Sequence, residues 1–433
     1  MKTAHFSKFP IVLALLLTLR SAVKQIVAVD GMSGTWELLL NSTGVVAMHV
    51  ALTHLNTVVL YDQTSSGRSA YHLPRGLPCP SVSTDADDRK ESGCWAHSME
   101  YDVATNTIRP LSIRTDTWCS SGSFLSDGTL EQTGGYKQGA RRIRYFRPCA
   151  DRNCDWNESS STFLAEGRWY ATNQVLPDGE RVIIVGGLNV FSYEFIPKSR
   201  DDEGAYDLPF LHDTREPHVK GGNNLYPFVH LSSDGNLFIF ANRDSILFDY
   251  RRGTVLRTFP RLPGDGSRNY PSTGSSVMLP LEHLDNFQRV EVMVCGGAAT
   301  GAFQATLNGD FYQGLSSCGR MVITGDDPRW EMEDMPGPRL MSDMLLLPTG
   351  DVLLINGATH GCAGWEKAIN PVLAPTSTNR RTHKVGDSLS SAPRRSLGCI
   401  IRRPSSSPTA AFSSAVATLI SDTTSPGTLT PRS

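Results

Sequence analysis

Between residues 126 and 357 the chain repeats a short pattern five times: a turn built on Gly, an apolar run suited to a strand, and a pair of small residues. The copies run from Ser126-Asp-Gly-Thr-Leu to Gly134-Gly135, from Pro177-Asp-Gly to Val182-Ile-Ile-Val-Gly186-Gly187, and from Ser233-Asp-Gly to Leu237-Phe-Ile-Phe-Ala241-Asn242. Two more end at Val292-Met-Val-Cys-Gly296-Gly297 and Val352-Leu-Leu-Ile-Asn356-Gly357. The first small residues, at 134, 186, 241, 296 and 356, are 52, 55, 55 and 60 residues apart. A period near ~50 residues marks the kelch-type β-propeller, in which four-stranded blades bury their faces only against neighbouring blades. Asp-Gly is expected to supply the positive-φ residues of a tight hairpin, the apolar run the buried inner strand, and Gly-Gly a close approach of backbones near the channel. An earlier stretch, Gly34-Thr-Trp-Glu-Leu to Leu60-Tyr-Asp, supplies strands without the small pair. Unrelated hairpins of a sandwich would not keep so regular a spacing.

Composition agrees with an all-β fold. The 38 Gly and 26 Pro are spread through all 433 residues, and few stretches keep a helical apolar period. Hydrophobic residues make up 39% and charged residues 19%, with 41 basic against 43 acidic side chains. That balance favours neither a disordered polyelectrolyte nor a general nucleic-acid binder. Met1 to Ala22 reads as a secretory signal, with Lys2 and Lys8 ahead of the apolar run Ile11 to Leu19 and cleavage expected near 22–28. The run is about half the ~20 residues that span a bilayer, so no membrane anchor is expected. Asn41-Ser-Thr and Asn157-Glu-Ser are glycosylation acceptors that agree with export to the apoplast or cell wall. Nine cysteines in an exported chain suggest disulfides, and an odd count leaves at least one sulfur free or otherwise engaged. Cys149 and Cys154 are candidates to bridge a short loop, and Cys79 and Cys94 to close another. No CxxC or His pair accompanies them as a zinc site would require.

Two repeats carry side chains that the pattern does not demand. Asp116-Thr-Trp118-Cys119-Ser120 and Gly167-Arg168-Trp169-Tyr170 both stand seven or eight residues before an Asp-Gly, so a propeller places them side by side at one end of the channel. With Asn223-Asn-Leu-Tyr226-Pro-Phe, Ala241-Asn-Arg-Asp244 and Gly364-Trp-Glu366, they make residues 34 to 376 resemble the secreted copper-radical oxidases typified by galactose oxidase and glyoxal oxidase. The likeness is strongest to the plant glyoxal-oxidase-like group. It implies a seven-bladed kelch propeller in which Cys119 and Tyr170 form a thioether-linked Tyr-Cys cofactor and the Tyr170 oxygen ligates one copper ion. The sulfur substituent eases oxidation of the phenol, so Tyr170 can hold the second oxidising equivalent that one copper lacks. Small aldehydes or primary alcohols would be oxidised by dioxygen, giving hydrogen peroxide. Taken singly, Cys119 would more often be a buried disulfide partner and Tyr170 a core aromatic. Their blade-equivalent positions favour the cofactor.

Two departures qualify that likeness. Where galactose oxidase stacks a Trp on the modified Tyr, this chain has Asn189. The family's axial Tyr and first His, in a Pro-Arg-Met-Tyr-His-Ser segment, and the His from its C-terminal domain have no counterpart here. His230, His360 and His383 are the late substitutes, and none lies in a matching motif. From Ser377 to Ser433 the 57 residues hold 13 Ser, 8 Thr, 7 Arg, two acidic residues and Phe412 as sole aromatic, the composition of a disordered tail. Back-translating Ser396 to Ile420 and moving the frame by two nucleotides permits the missing Tyr-His blade, so an out-of-frame tail is expected. The sequence therefore implies a signal over 1–28, a truncated propeller over 29–376 and a low-complexity tail over 377–433. The expected protein is a secreted, monomeric copper-radical oxidase that is incomplete and inactive. The alternative is a non-catalytic kelch propeller that binds cell-wall carbohydrate or protein.

Overall fold

The structure, a computed structural model, describes residues 38–65, 67–80, 94–379 and 384–388. It is all-β: six four-stranded antiparallel sheets follow one another along the chain as the blades of a propeller. The first blade comprises His49–Leu52, Thr57–Tyr61, Ser98–Asp102 and Thr107–Leu111, and the second Ser121–Phe124, Leu130–Thr133, Ile143–Phe146 and Asn157–Glu158. Inner strands of the next four blades are Thr172–Val175, Phe228–Leu231, Ser275–Met278 and Asp343–Leu346. The seventh blade that the resemblance implies is not among the described residues. The signal expected over 1–28 and Gly34-Thr-Trp also lie outside them.

Each repeat's apolar run is the second strand of its blade, and it is buried on both faces. Ile183 and Val185 pack forward with Val229, Leu237 and Ile239 of the fourth blade, while Val182 and Ile184 pack backward with Ile143 and Leu164. Leu237 and Ile239 face back toward these third-blade partners, whereas Phe238 and Phe240 face Val292 and Val294 of the fifth blade. A strand with a neighbour on each side has no solvent face. That is why these runs read as continuous hydrophobic stretches and not as an alternation.

The small pairs are required by close contact. A Cβ on Gly134 would collide with the Arg168 carbonyl oxygen, and one on Gly296 with the Arg339 carbonyl oxygen. Those carbonyls accept from Gly135 N and Gly297 N, both at 3.0 Å, so each pair seats the segment entering a neighbouring blade. The turns differ from expectation at one residue. Gly128, Gly179 and Gly235 have positive φ, but Asp127, Asp178 and Asp234 do not. Each Asp side chain instead accepts main-chain N–H groups just beyond the turn, as Asp127 Oδ1 does from Thr129 N at 2.9 Å. The carboxylate caps the turn, and only Gly adopts the left-handed conformation.

Two disulfides join Cys79 to Cys94 and Cys149 to Cys154, and a third joins Cys295 to Cys318. The third was not read from sequence, because the two cysteines become neighbours only through the pairing of Glu291–Cys295 with Ser317–Val322. Asn41 and Asn157 are exposed. The last blade extends past the boundary expected at 376: Thr376–Asn379 and Lys384–Ser388 are its outer strands, with Ser377 paired to both Leu353 and Asp387. A hairpin, Ala358–Gly361 with Ala368–Pro371, is inserted between its second and third strands. Residues 389–433 lie outside the described set.

Candidate functional site

One backbone device places the site. Cys119, Tyr170, Tyr226, Thr273 and Met341 each stand two residues before the inner strand of a blade, and each has positive φ, at 54°, 69°, 50°, 45° and 54°. A left-handed residue with a Cβ costs about 1–2 kcal/mol, so each must be held by its surroundings. The ties run from blade to blade. Tyr170 N donates to Cys119 O at 2.9 Å, Tyr226 N to Tyr170 O at 3.0 Å, and Met341 N to Thr273 O at 2.7 Å. Buried arginines brace the same ends. Arg144 donates to Gly134 O, Arg168 to Gly186 O, Arg268 to Gly296 O and Arg339 to Asn356 O.

The side chains of the first three positions converge. Cys119 is a free, half-buried thiol within hydrogen-bonding reach of Tyr170, Trp169 and Tyr226. The Trp169 indole N–H is buried without a well-formed hydrogen bond and faces the same sulfur. Tyr170 is 6% exposed and enclosed by rings: Trp169 at 4.7 Å between centroids, Tyr226 edge-on at 5.5 Å, and Tyr270 at 4.4 Å and 32°. Its hydroxyl donates to Tyr270 Oη at 3.3 Å. Trp118 and Tyr136 extend the aromatic wall, each packing on Trp169.

The structure thus brings Cys119 and Tyr170 together with Tyr226. Asn189 is not part of the aromatic shell; Trp169 and Tyr270 flank the Tyr170 ring instead. Tyr270 was not singled out from sequence, because it sits outside the repeat position and approaches Tyr170 only from the fifth blade's entry segment, where Tyr270 N bonds Leu225 O. Tyr136, one residue past a small pair, was missed for the same reason.

Burial dominates the acid–base properties. It pushes the Cys119 thiol up to about 12 and the Tyr270 phenol up to about 12, and it raises Tyr170 and Tyr226 well above the ordinary tyrosine range. At neutral pH all four groups keep their protons unless a cation is supplied. A copper ion of the oxidase type needs imidazoles beside the phenolate. Among the described residues no three His, Cys, Asp or Glu side chains converge to hold a metal. His230 Nε2 is bonded to Ser276 Oγ at 2.9 Å and His360 Nδ1 to Thr359 Oγ1 at 2.7 Å, while His383 lies outside the described residues. The described donor set therefore does not fit a copper ion: it offers phenols and one thiol, without the nitrogen ligands.

With this geometry in place, comparison with known proteins is informative. A family model described as glyoxal oxidase N-terminus matches residues 48–393. The aldehyde oxidase GLOX of Vitis pseudoreticulata is 49% identical over 351 residues, covering 81% of this chain and 64% of that protein. The aldehyde oxidase GLOX1 of Arabidopsis thaliana is 44% identical, covering 79% of this chain and 55% of its own length. The chain thus spans less than two thirds of either relative. Among solved structures, a fungal alcohol oxidase of the AA5 family, in complex with copper, superposes with a TM-score of 0.58 at 14% identity, over 81% of this chain and 66% of its own. That likeness is one of fold.

Proposed function

The chain belongs to the glyoxal oxidase N-terminus family, a group of copper-radical oxidases, and on that premise we propose that it is the propeller portion of a secreted enzyme of this kind. In the complete enzyme, small aldehydes or primary alcohols would be oxidised by dioxygen, with release of hydrogen peroxide. This chain supplies the sulfur–phenol half of the site, Cys119 and Tyr170, and as it stands it is incomplete and inactive. The observation that carries this reading is the convergence of the free Cys119 thiol and the enclosed Tyr170 side chain, two residues from different blades within hydrogen-bonding reach of each other. No packing requirement of the repeat asks for a thiol there, since Thr273 and Met341 fill equivalent positions.

Two readouts test the proposal. Incubated with dissolved copper(II) and air, the protein should yield a tryptic species joining the Cys119 and Tyr170 peptides. The Cys119 S–H and one ring C–H are lost, one C–S bond forms, and the two electrons and two protons pass to dioxygen. The same preparation should release no peroxide from methylglyoxal. Peroxide release would overturn the incompleteness. Separate, unmodified peptides would overturn the reading of Cys119 and Tyr170 as a reacting pair.

A further inference from the structure

Cys119 sits in a tight turn, Thr117 to Ser120, closed by Ser120 N donating to Thr117 O at 3.0 Å. Within it Cys119 takes the left-handed conformation that presents its sulfur to the next blade. An imidazole from the preceding blade meets both ends of this turn. His49, the first residue of the first blade's inner strand, places Nε2 3.1 Å from Ser120 Oγ, and the Thr117 backbone lies close enough to act on the same ring. The ring is fixed from behind by stacking on Tyr61, its cross-strand partner, at 4.7 Å and 14°. The turn is fastened from other sides as well. Asp116 Oδ1 accepts from Trp118 N at 2.7 Å, and Tyr226 Oη donates to Ser120 O at 3.0 Å.

Equivalent positions show that packing does not demand a histidine. Thr172, which opens the third blade's inner strand, donates to Pro227 O at 2.8 Å, and Ser275, which opens the fifth, bonds Ser342 Oγ at 3.1 Å. Each is a small hydroxyl that links its blade to the residue just before the next inner strand. Only at the blade carrying Cys119 is the link an imidazole, long enough to reach Thr117 as well as Ser120.

We propose that His49 is a positioning residue, which clamps the Thr117–Ser120 turn and so holds the Cys119 sulfur against the Tyr170 ring. The proposal rests on the reading of Cys119 and Tyr170 as a reacting pair. Burial lowers the His49 pKa to about 4, so the ring stays neutral through the neutral range, with one nitrogen to donate and one to accept. That is what a clamp between a main-chain group and a hydroxyl requires.

The test reads the sulfur directly, with no copper present. Wild-type protein and the variants His49→Ala, His49→Gln and Ser120→Ala are treated with N-ethylmaleimide under native conditions, and labelling of each cysteine is followed by peptide mass spectrometry. Cys362, the other free thiol of the described residues and buried in the inserted hairpin's cluster, is the internal control. His49→Ala should label Cys119 about tenfold faster, the factor for losing a link of about 1.4 kcal/mol, with Cys362 unchanged. His49→Gln, whose amide both donates and accepts, should restore most of the protection, and Ser120→Ala should fall between. If isolated wild-type protein already carries a joined Cys119, the same variants are read by the unjoined fraction, which should rise in His49→Ala. Equal acceleration at both thiols, or none at Cys119, would overturn the clamp. A clamp that holds in this assay while copper and air give no joined peptide would sink only the reading of Cys119 and Tyr170 as a reacting pair.

Discussion

Arg168 offers the sharpest test of how the Tyr170 strand entry is held. Its guanidinium is fully buried, and Nε donates to Glu194 Oε1 at 2.7 Å. Nη1 donates to Gly186 O at 2.8 Å and Ser192 O at 3.1 Å, and Nη2 to Ser192 Oγ at 3.1 Å. Replacing Arg168 with Met keeps much of the side-chain length but strands a buried carboxylate, whose remaining partners are Ala165 N at 2.6 Å and Glu166 N at 3.4 Å. Breaking a buried ion pair from one side costs about 3–5 kcal/mol, and the loss of the Arg168 donors to Gly186 O and Ser192 O, the latter still bonded by Gly186 N, adds to it without full additivity. We expect a loss of about 4 kcal/mol, a large share of the ~5–15 kcal/mol that stabilises a typical domain. Adding Glu194→Gln removes the stranded charge, so the double variant should recover about half of that loss. Urea unfolding of wild type, both single variants and the double variant completes the cycle. A single-variant loss below about 1 kcal/mol, or a double variant no better than the sum of the singles, would refute the reasoning that this arginine is retained by buried pairing.

Two further outcomes follow from the same structure. Gly134→Ala and Gly296→Ala each add a methyl group against a carbonyl of the neighbouring segment, at φ of 73° and 67°, and each should cost more than about 2 kcal/mol in urea unfolding; Gly337→Ala, with nothing within 4 Å of the added atom, is the control and should stay near wild type. Burial raises the Glu131 carboxyl to about 8, against a helpful hydrogen bond from Asn173 at 2.9 Å. A carboxyl whose folded pKa lies above its unfolded 4.5 stabilises the fold at low pH, and this contribution is lost as pH rises toward 8, by at most about 1.4 kcal/mol per unit. Wild type should therefore lose more stability than Glu131→Gln between about pH 5 and pH 8, and parallel losses in the two proteins would refute the assignment.

The repeat was legible because its parts are local. An Asp-Gly turn, a strand buried on both faces and a small pair each impose residue types within a dozen positions, and their regular spacing then marks successive blades. The turn geometry was misread at one residue, since a carboxylate that caps main-chain N–H groups and one that adopts positive φ leave the same Asp-Gly signature. The last blade was cut short for a different reason. Thr376–Asn379 and Lys384–Ser388 are strands of mostly polar sequence, Thr-Ser-Thr-Asn and Lys-Val-Gly-Asp-Ser, which composition does not tell from a tail.

The site divides along the same line. Cys119 and Tyr170 stand at one repeat position, so their juxtaposition follows from the period alone. Tyr270 reaches them from a segment outside the repeat position, and His49, although it opens an inner strand, has small hydroxyl residues at the equivalent places, so both roles depend on contacts made only after the blades have packed. The same distinction bears on chemistry. The ring of left-handed positions fixes where a sulfur and phenols meet, but acid strength there is set by enclosure: burial holds the thiol and phenols protonated unless a cation is supplied, and a copper ion would need nitrogen ligands beside the phenol. The described residues build the enclosure and the oxidisable pair without those nitrogens. Placement of the Cys119 sulfur beside Tyr170 is thus set by the packing of the blades alone, and structure retained at Cys119 is no measure of activity.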